Sequence, residues 1–280
     1  MPPLILSVTL IAFMSTTRIA TWNINSVRLR IDMVLRFLEE FKPTALCLQE
    51  TKSPDGQFPT KAFQEAGYGH IHKAGMKGYN GVAIVANRPL ENPEVINHCG
   101  REDCRHVAAT LQDGPEVHSI YIPAGGDEPD PEINDKFAHK LEFVRSLESW
   151  FPTNRSKDKP IVAVGDFNIA PLETDVWSHK QLLKVVSHTP IEVEHLDAMQ
   201  QSFDWADAVR AIIPPEEVVF SWWSYRARDW EASNRGRRLD HIWVTPPLAD
   251  KVTDAHIIKA ARGWEPKPSD HCPVIIDIKG

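Results

Sequence analysis

Short apolar runs alternate along this chain with longer stretches in which apolar residues recur every three or four positions. Arg18–Trp22, Ala45–Leu48, Gly81–Ala86, Val107–Leu111, Val117–Ile122 and Ile161–Val164 are compact apolar runs, several rich in Val and Ile, and predict buried strands. Val218–Trp222, Leu239–Val244, Ala255–Ile258 and Val274–Ile278 read the same way. Leu29–Glu40 carries apolar residues at 31, 34, 35 and 38, the spacing of one helix face, and Pro43 closes it. Glu132–Trp150 predicts a second helix, and Gly165 ends the strand at Val164. No internal repeat and no Ser/Gly linker interrupts the pattern. Many strands with few helices between them predict an α/β fold, two stacked sheets with helices outside, built as one domain over residues 14–280. Pro2–Phe13 is mostly apolar, but no Lys or Arg precedes Arg18, so the basic region of a signal peptide is missing. The run is also too short to span a bilayer. Residues 1–13 therefore read as a non-core extension or an over-long start, with Met14 as the initiator.

Composition narrows the class. With 42% hydrophobic and 25% charged residues, and 14 Gly and 22 Pro, the chain is neither collagenous, disordered nor of low complexity. A chain of 280 residues buries roughly 75% of its unfolded surface and needs no disulfide staples. Cys47, Cys99, Cys104 and Cys272 form no C-x-x-C pair and no Cys/His cluster with zinc spacing, so they read as reduced thiols of a cytoplasmic protein. Charge looks at first unfavourable for a nucleic-acid partner, since 31 Lys+Arg against 38 Asp+Glu leave −7. The distribution alters that inference. Leu111–Asp135 holds seven acids and no Lys or Arg, and Glu192–Asp207 five more. Met14–Arg30 has three arginines and no acid, and Arg226–Arg238 is +3. The pattern predicts a polarised molecule with a basic, aromatic rim and its excess acid elsewhere.

Polar groups gather where strands end. Asn23 and Asn25 follow Trp22 in TWNINSVR, and Glu50 follows ALCLQ. Tyr121 lies in SIYIPAGG, Asp166 and Asn168 in GDFNIAP, Asp240 and His241 in RRLDHIW, and Asp270 and His271 in PSDHCPV. Taken singly, a carboxylate or Asn at a strand end is a cap or a turn residue, and Tyr121 an anchored core tyrosine. Taken together, they are hard oxygen and nitrogen ligands held at the rim of a rigid scaffold. Carboxylates converging without Lys partners repel unless a cation sits among them, and an oxygen-rich set suits Mg²⁺ or Mn²⁺ rather than zinc. A histidine is then available for acid–base work or phosphate contact. There is no Walker loop, no G-x-S-x-G and no G-x-G-x-x-G. Ser221–Asp240 adds five arginines interleaved with Trp222, Trp223, Tyr225 and Trp230, residue types that hold phosphate and stack on bases. Arg28 and Arg30, and Lys73 and Lys77, form smaller basic elements.

The ordered set WNINSVR, LQETK, KGYNGVAI, YIPAGG, GDFNIAP, NRGRRLDHIW and PSDHCPV, from Trp22 to Val274, resembles the exonuclease III family, the class II abasic-site endonucleases of the endonuclease/exonuclease/phosphatase superfamily. The resemblance implies a four-layer α/β sandwich, two mixed β-sheets packed face to face with helices outside. It implies a Mg²⁺-dependent nuclease (Mn²⁺ being the alternative ion) that cuts duplex DNA 5′ to abasic sites and clears nucleotides or blocking groups from 3′ ends. It also implies a monomer with no membrane partner. Carried over by position, Glu50 is the main metal ligand and Asn23 lies beside it, with Asp166, Asn168, Asp270 and His271 completing the metal side. Asp166 orients or deprotonates the attacking water, Asn168 helps bind the phosphate, Tyr121 stands at the scissile phosphate, and Asp240 orients the phosphate-contacting His271. DNA contact falls to Asn25, Arg28, Lys77, Trp222, Arg226 and Arg235, with Trp222 lining the abasic pocket and Trp223 packing. Ser119 stands where the family often has Asn, and Gly126 is an extra glycine. Two alternatives are a superfamily phosphatase or phosphodiesterase acting on a small phosphorylated substrate, and a non-catalytic DNA-binding module.

Overall fold

The computed structural model describes residues 16–280, so the expectations for residues 1–13 and for Met14 lie outside the described residues. Its strands are β1 (Thr17–Asn23), β2 (Ala45–Gln49), β3 (His70–Met76), β4 (Tyr79–Ala86), β5 (Leu90–Val95), β6 (His106–Leu111) and β7 (Glu116–Tyr121). There follow β8 (Ile161–Asp166), β9 (Ala206–Asp207), β10 (Trp222–Trp223), β11 (Gly236–Arg237), β12 (Asp240–Val244), β13 (Val252–Ile257) and β14 (Val274–Ile278). One six-stranded sheet has the order β13-β14-β1-β2-β4-β3, and the other β5-β6-β7-β8-β12-β9. Each sheet is antiparallel except for one central pair, β1–β2 in the first and β7–β8 in the second. A parallel pair needs a crossover, and a long helix supplies each one, Ile31–Phe41 and Asp135–Asn154. The two halves thus share one pairing order, a structural repeat that the sequence does not display.

Alternation along the strands builds the layers. Ile19, Cys47, Ile84, Val107, Val162, Val164, Ile242 and Ile276 meet between the sheets. Their neighbours Ala20, Leu46, Leu48 and Val85 turn the other way onto Met33, Val34, Phe37 and Leu38 of the first crossover helix. Ile120, Ala163 and Trp243 turn onto Phe143, Val144, Leu147 and Phe151 of the second, and onto Leu196 and Met199 of the helix Pro190–Ser202. The four-layer α/β sandwich follows. Among the described residues no helix is long and apolar enough to cross a membrane.

Several boundaries differ from the expectation. The second crossover helix starts later than Glu132 because the Asn134 side chain caps it, accepting from the Lys136 amide. Val218–Trp222 is not a strand: only Trp222–Trp223 pairs, with Gly236–Arg237, in a two-residue ribbon. The amides of Val219 and Ser221 bond instead to the carbonyls of Thr174 and Arg237.

The second sheet also carries a buried line of histidines. His98 Nε2 lies 2.9 Å from His106 Nδ1, His106 Nε2 lies 2.9 Å from His118 Nδ1, and His118 Nε2 lies 3.0 Å from Glu116 Oε1. Burial lowers all three, His98 to about 4. Unfolded histidine takes a proton near pH 6.5, whereas His98 in the fold resists until about pH 4. The unfolded state therefore binds more protons in that window, and stability that is complete above pH 6.5 drains away as pH falls toward 4. For His98 alone the loss is on the order of 3 kcal/mol. Urea midpoints measured from pH 7 to pH 4.5 should fall steadily, and a flat series would contradict this account.

Candidate active site

One end of the sandwich collects the ends of β1, β2, β7, β8 and β12 and the turn before β14. Register sets Tyr121 beside Asp166 across the parallel pair and Asp240 opposite Asp166 across the antiparallel one. Gly165 permits that convergence: its φ is +148, and a Cβ there would stand 1.8 Å from the Ile120 carbonyl oxygen. Glu50 and Asn168 follow their strands in the left-handed region, φ 49 and 55, which turns them off the strand direction.

Asn23 is the hub. Its buried amide donates to Glu50 Oε1 at 2.9 Å and to Asp166 Oδ2 at 2.8 Å. The Tyr121 hydroxyl donates to the same Glu50 oxygen at 2.9 Å. Asn168 donates to Asp166 through its backbone at 2.9 Å and its amide at 3.1 Å. His271 Nδ1 sits 2.8 Å from Asp240 Oδ2, and His271 Nε2 is 3.6 Å from Asp166 Oδ2. Ser221 Oγ donates to Asp240 Oδ2 at 2.6 Å, so the orienting carboxylate is itself oriented. Asp166, Asp240 and His271 bring ligand atoms within 4.8 Å of one another, and Asp240 Oδ1 is buried without a partner.

Burial pushes the Asp166 carboxyl up, with Asp240 and Glu50 adding to it and His271 and Asn23 opposing. Burial would lower His271, yet Asp240 and Asp166 overcome it and hold the imidazole well above its ordinary value. Glu50 is lowered despite its burial because Lys52, Asn23 and His271 favour its charged form. Burial, then Glu50 and Asp166, raise the Tyr121 phenol. Two carboxylates and an amide at neighbouring strand ends, with an orphaned buried carboxylate oxygen beside them, fit a hard divalent cation.

Asp270 stands on the rim rather than inside. It accepts from the Trp222 indole at 3.0 Å and from the Asn25 amide at 3.2 Å. A cleft of about 650 Å³ opens over Glu50, Tyr121, Asp166, Asn168, Asp270 and His271. Trp222, Arg226, Arg235 and Arg237 line it from the ribbon side. Arg235 lies 4.6 Å over Trp177 and Arg237 5.3 Å over Trp222. Trp223 is 2% exposed and packs on Phe220 and Trp230. Arg28 bonds Gln57 at 2.6 Å, and Lys77 is exposed on the β3–β4 turn; neither lines the cleft.

Four expectations need correction. Glu50 does have a Lys partner, Lys52 at 2.7 Å, which also donates to Asn25. Charge is less cleanly sorted than the sequence implies: Asp127, from the acidic stretch, lines the same cleft as Arg226, Arg235 and Arg237. Arg238 belongs to no rim, being 1% exposed and paired with Asp175 and Asp207. His241, singled out beside Asp240, is a core residue bonded to the Ile169 carbonyl at 2.8 Å and stacked on Phe167.

Sequence reasoning missed several supports. Ser221 holds Asp240, Arg105 lies 4.7 Å under the Tyr121 ring, and Lys140 donates to the Asn168 carbonyl at 2.7 Å while paired with buried Glu192. Lys52 had a signal, its place in LQETK; Lys140, in the middle of a helix, had none.

Residues 20–271 match the model of the endonuclease/exonuclease/phosphatase family. The chain is 30% identical to exodeoxyribonuclease III of Haemophilus influenzae over 92% of its own length and 98% of that protein. An AP endonuclease from Archaeoglobus fulgidus superposes with a TM-score of 0.88 at 31% identity, covering 94% of this chain and 99% of that one. A 3′ phosphatase from Neisseria, solved bound to a product DNA hairpin, superposes with a TM-score of 0.85 at 28% identity, covering 94% and 100%. With its two sheets and nearly its whole length in common with these proteins, the chain belongs to the endonuclease/exonuclease/phosphatase family.

Proposed function

We propose that residues 14–280 form a single catalytic domain, a divalent-metal-dependent DNA repair nuclease that hydrolyses phosphodiesters 5′ to abasic sites and clears 3′ ends of duplex DNA. The observation that carries this is the joining of two chemistries in one cleft, an acid–amide–imidazole cluster on its floor and Trp222 with arginines on its wall. Mg²⁺ (or Mn²⁺) would be held by Glu50 with Asn23, Asp166, Asn168 and His271 near it and Asp270 on the rim, and would supply neutralisation of phosphate charge. The chain's own groups do the rest. Asp166, fixed by Asn23 and Asn168, takes the proton of the attacking water. His271, kept protonated by Asp240, adds positive charge at the phosphate. Tyr121, anchored to Glu50, presents its hydroxyl beside them. Trp222 lines the space for an abasic sugar, and Arg226 and Arg235 take flanking phosphates. Asn25 ties this wall to the floor through Asp270 and Lys52, and Arg28 and Lys77 extend the basic surface beyond the cleft. A small phosphorylated headgroup needs no such wall. One chain forms the whole site, which fits a monomer, and the free cysteines fit the reducing cytoplasm.

A duplex with a central abasic site should be incised, and an intact recessed duplex shortened from its 3′ end, with Mg²⁺ and not with EDTA. Trp222→Ala should weaken abasic incision about 5- to 150-fold, the loss of an aromatic contact of ~1–3 kcal/mol, and leave cleavage of a small phosphodiester nearly unchanged. Equal loss on both substrates would remove the pocket role. Turnover of small phosphate esters with no DNA cleavage would remove the nuclease reading.

A further inference from the structure

Away from the cleft, the segment between β5 and β6 meets the helix Asp135–Asn154 and brings three ligand-type side chains together. Cys99 sits in that segment with φ 54, while His139 and Glu142 stand at i and i+3 on one face of the helix. One ligand atom of each lies within 4.8 Å of the other two. Sulfur, imidazole and carboxylate make a donor set for a borderline-soft ion, unlike the oxygen-rich set in the cleft.

A second, independent observation concerns His139. The residue is 8% exposed, and both its ring nitrogens are buried with no hydrogen-bond partner. A buried polar atom left unbonded is costly, so the ring is poised for something other than the core around it. The nearest carboxylate, Asp103, has its Oδ2 3.7 Å from His139 Nε2 and is itself held by Arg105 at 2.5 Å. A carboxylate behind an imidazole is the usual support of a metal-ligating histidine, which gives its other N–H to that carboxylate. The Cys99 sulfur would bind a cation as its thiolate, releasing its proton to solvent. Access is open, since Glu142 is exposed and Cys99 half-buried.

We propose that Cys99, His139 and Glu142 form a zinc site, distinct from the catalytic cleft, with water in the fourth position and Asp103 orienting His139. Ligand atoms around tetrahedral zinc stand roughly 3.3–3.6 Å apart, so the exposed Glu142 side chain has at most about 1.5 Å to move to close the cluster. The ion pins the loop that delivers Arg105, the guanidinium beneath Tyr121, to the helix behind it.

Cobalt(II) reports such a site optically, because a cobalt–thiolate bond gives an intense near-ultraviolet charge-transfer band that zinc then removes by displacement. The full chain, reduced and saturated with Mg²⁺, should develop this band with one equivalent of cobalt. Cys99→Ser should abolish it, and Glu142→Gln, on the exposed side, should weaken cobalt binding more than tenfold. Cys104→Ser and Asp166→Asn should leave it unchanged. Zinc should raise the melting temperature of the wild type and not that of Cys99→Ser. Absence of a thiolate band in the wild type, or its survival in Cys99→Ser, would overturn the proposal.

Discussion

Asp166→Asn is expected to leave the protein folded and to lower single-turnover DNA cleavage by on the order of 10²–10⁴, the contribution of a placed general base. The side chain is 1% exposed and both its oxygens accept: Oδ1 from the Asn168 backbone, Oδ2 from the amides of Asn23 and Asn168. An asparagine fills the same volume and keeps one acceptor, while its N–H₂ faces a donor, so the cage around it persists at a cost of about 1–3 kcal/mol. It cannot take a proton from water. Binding should therefore change far less than the chemical step, and the dissociation constant measured in Ca²⁺ should stay within about tenfold while the rate collapses. The pH profile carries a second signature. Burial raises the Asp166 pKa, so wild-type activity should fall on the acid side at a pH above the ordinary carboxylate value. The base works only when ionised, hence its contribution is present above that raised value and lost below it. In Asp166→Asn the residual activity should lack this acid limb. Near wild-type turnover would refute the assignment.

How much of this was legible in the sequence depends on burial. β1, β2, β4, β6, β7, β8, β12 and β14 lie between a helix layer and the opposite sheet, or within that interface. Both faces are covered, and they read as continuous apolar runs. β3 and β5 are edge strands with exposed faces, and β5 even contains a proline, Pro93, so neither stood out. The helix Pro190–Ser202 was missed for a different reason. Its capping box, Thr189 with Glu192, was present in the sequence, but its weak periodicity gave nothing to attach the cap to.

The floor of the cleft was legible because a polar residue directly after an apolar run is placed by the strand itself, as Asn23, Glu50 and Asp166 are. The layer beneath was not. Lys140 looks like a solvated helix charge until the fold seats it, fully buried, against Glu192 and the Asn168 carbonyl. The zinc-type cluster escaped for the same reason, since Cys99 and His139 meet only through the crossing of loop and helix. Net charge misled twice, first as a total and then as a sorting of segments. Arg238 is held inside the protein by Asp175 and Asp207, while Asp127 lines the same cleft as the arginines.

Asp240→Asn is expected to be nearly as damaging as loss of the base, by on the order of 10²–10³ in the rate, although Asp240 is fully buried behind His271. Its carboxylate accepts from Ser221 and faces His271 Nδ1, which leaves Nε2 turned toward Asp166. An asparagine can present its N–H₂ to Nδ1 instead, which takes the proton off Nδ1 and leaves a neutral imidazole protonated only at Nε2. It also removes the charge that, with Asp166, holds the imidazole above its ordinary pKa against the opposing effect of burial. A raised histidine is charged below its raised value and loses that charge as pH climbs through it. Without Asp240 the loss comes at lower pH, so the alkaline limb of the rate profile at saturating Mg²⁺ should move toward acid. Asp240→Asn combined with His271→Asn should be no slower than the worse single variant, because the two residues act as one unit. Additive losses, or an alkaline limb that stays in place, would show that Asp240 merely fills space, and the positive charge at the phosphate would then have to come from the arginines of the wall.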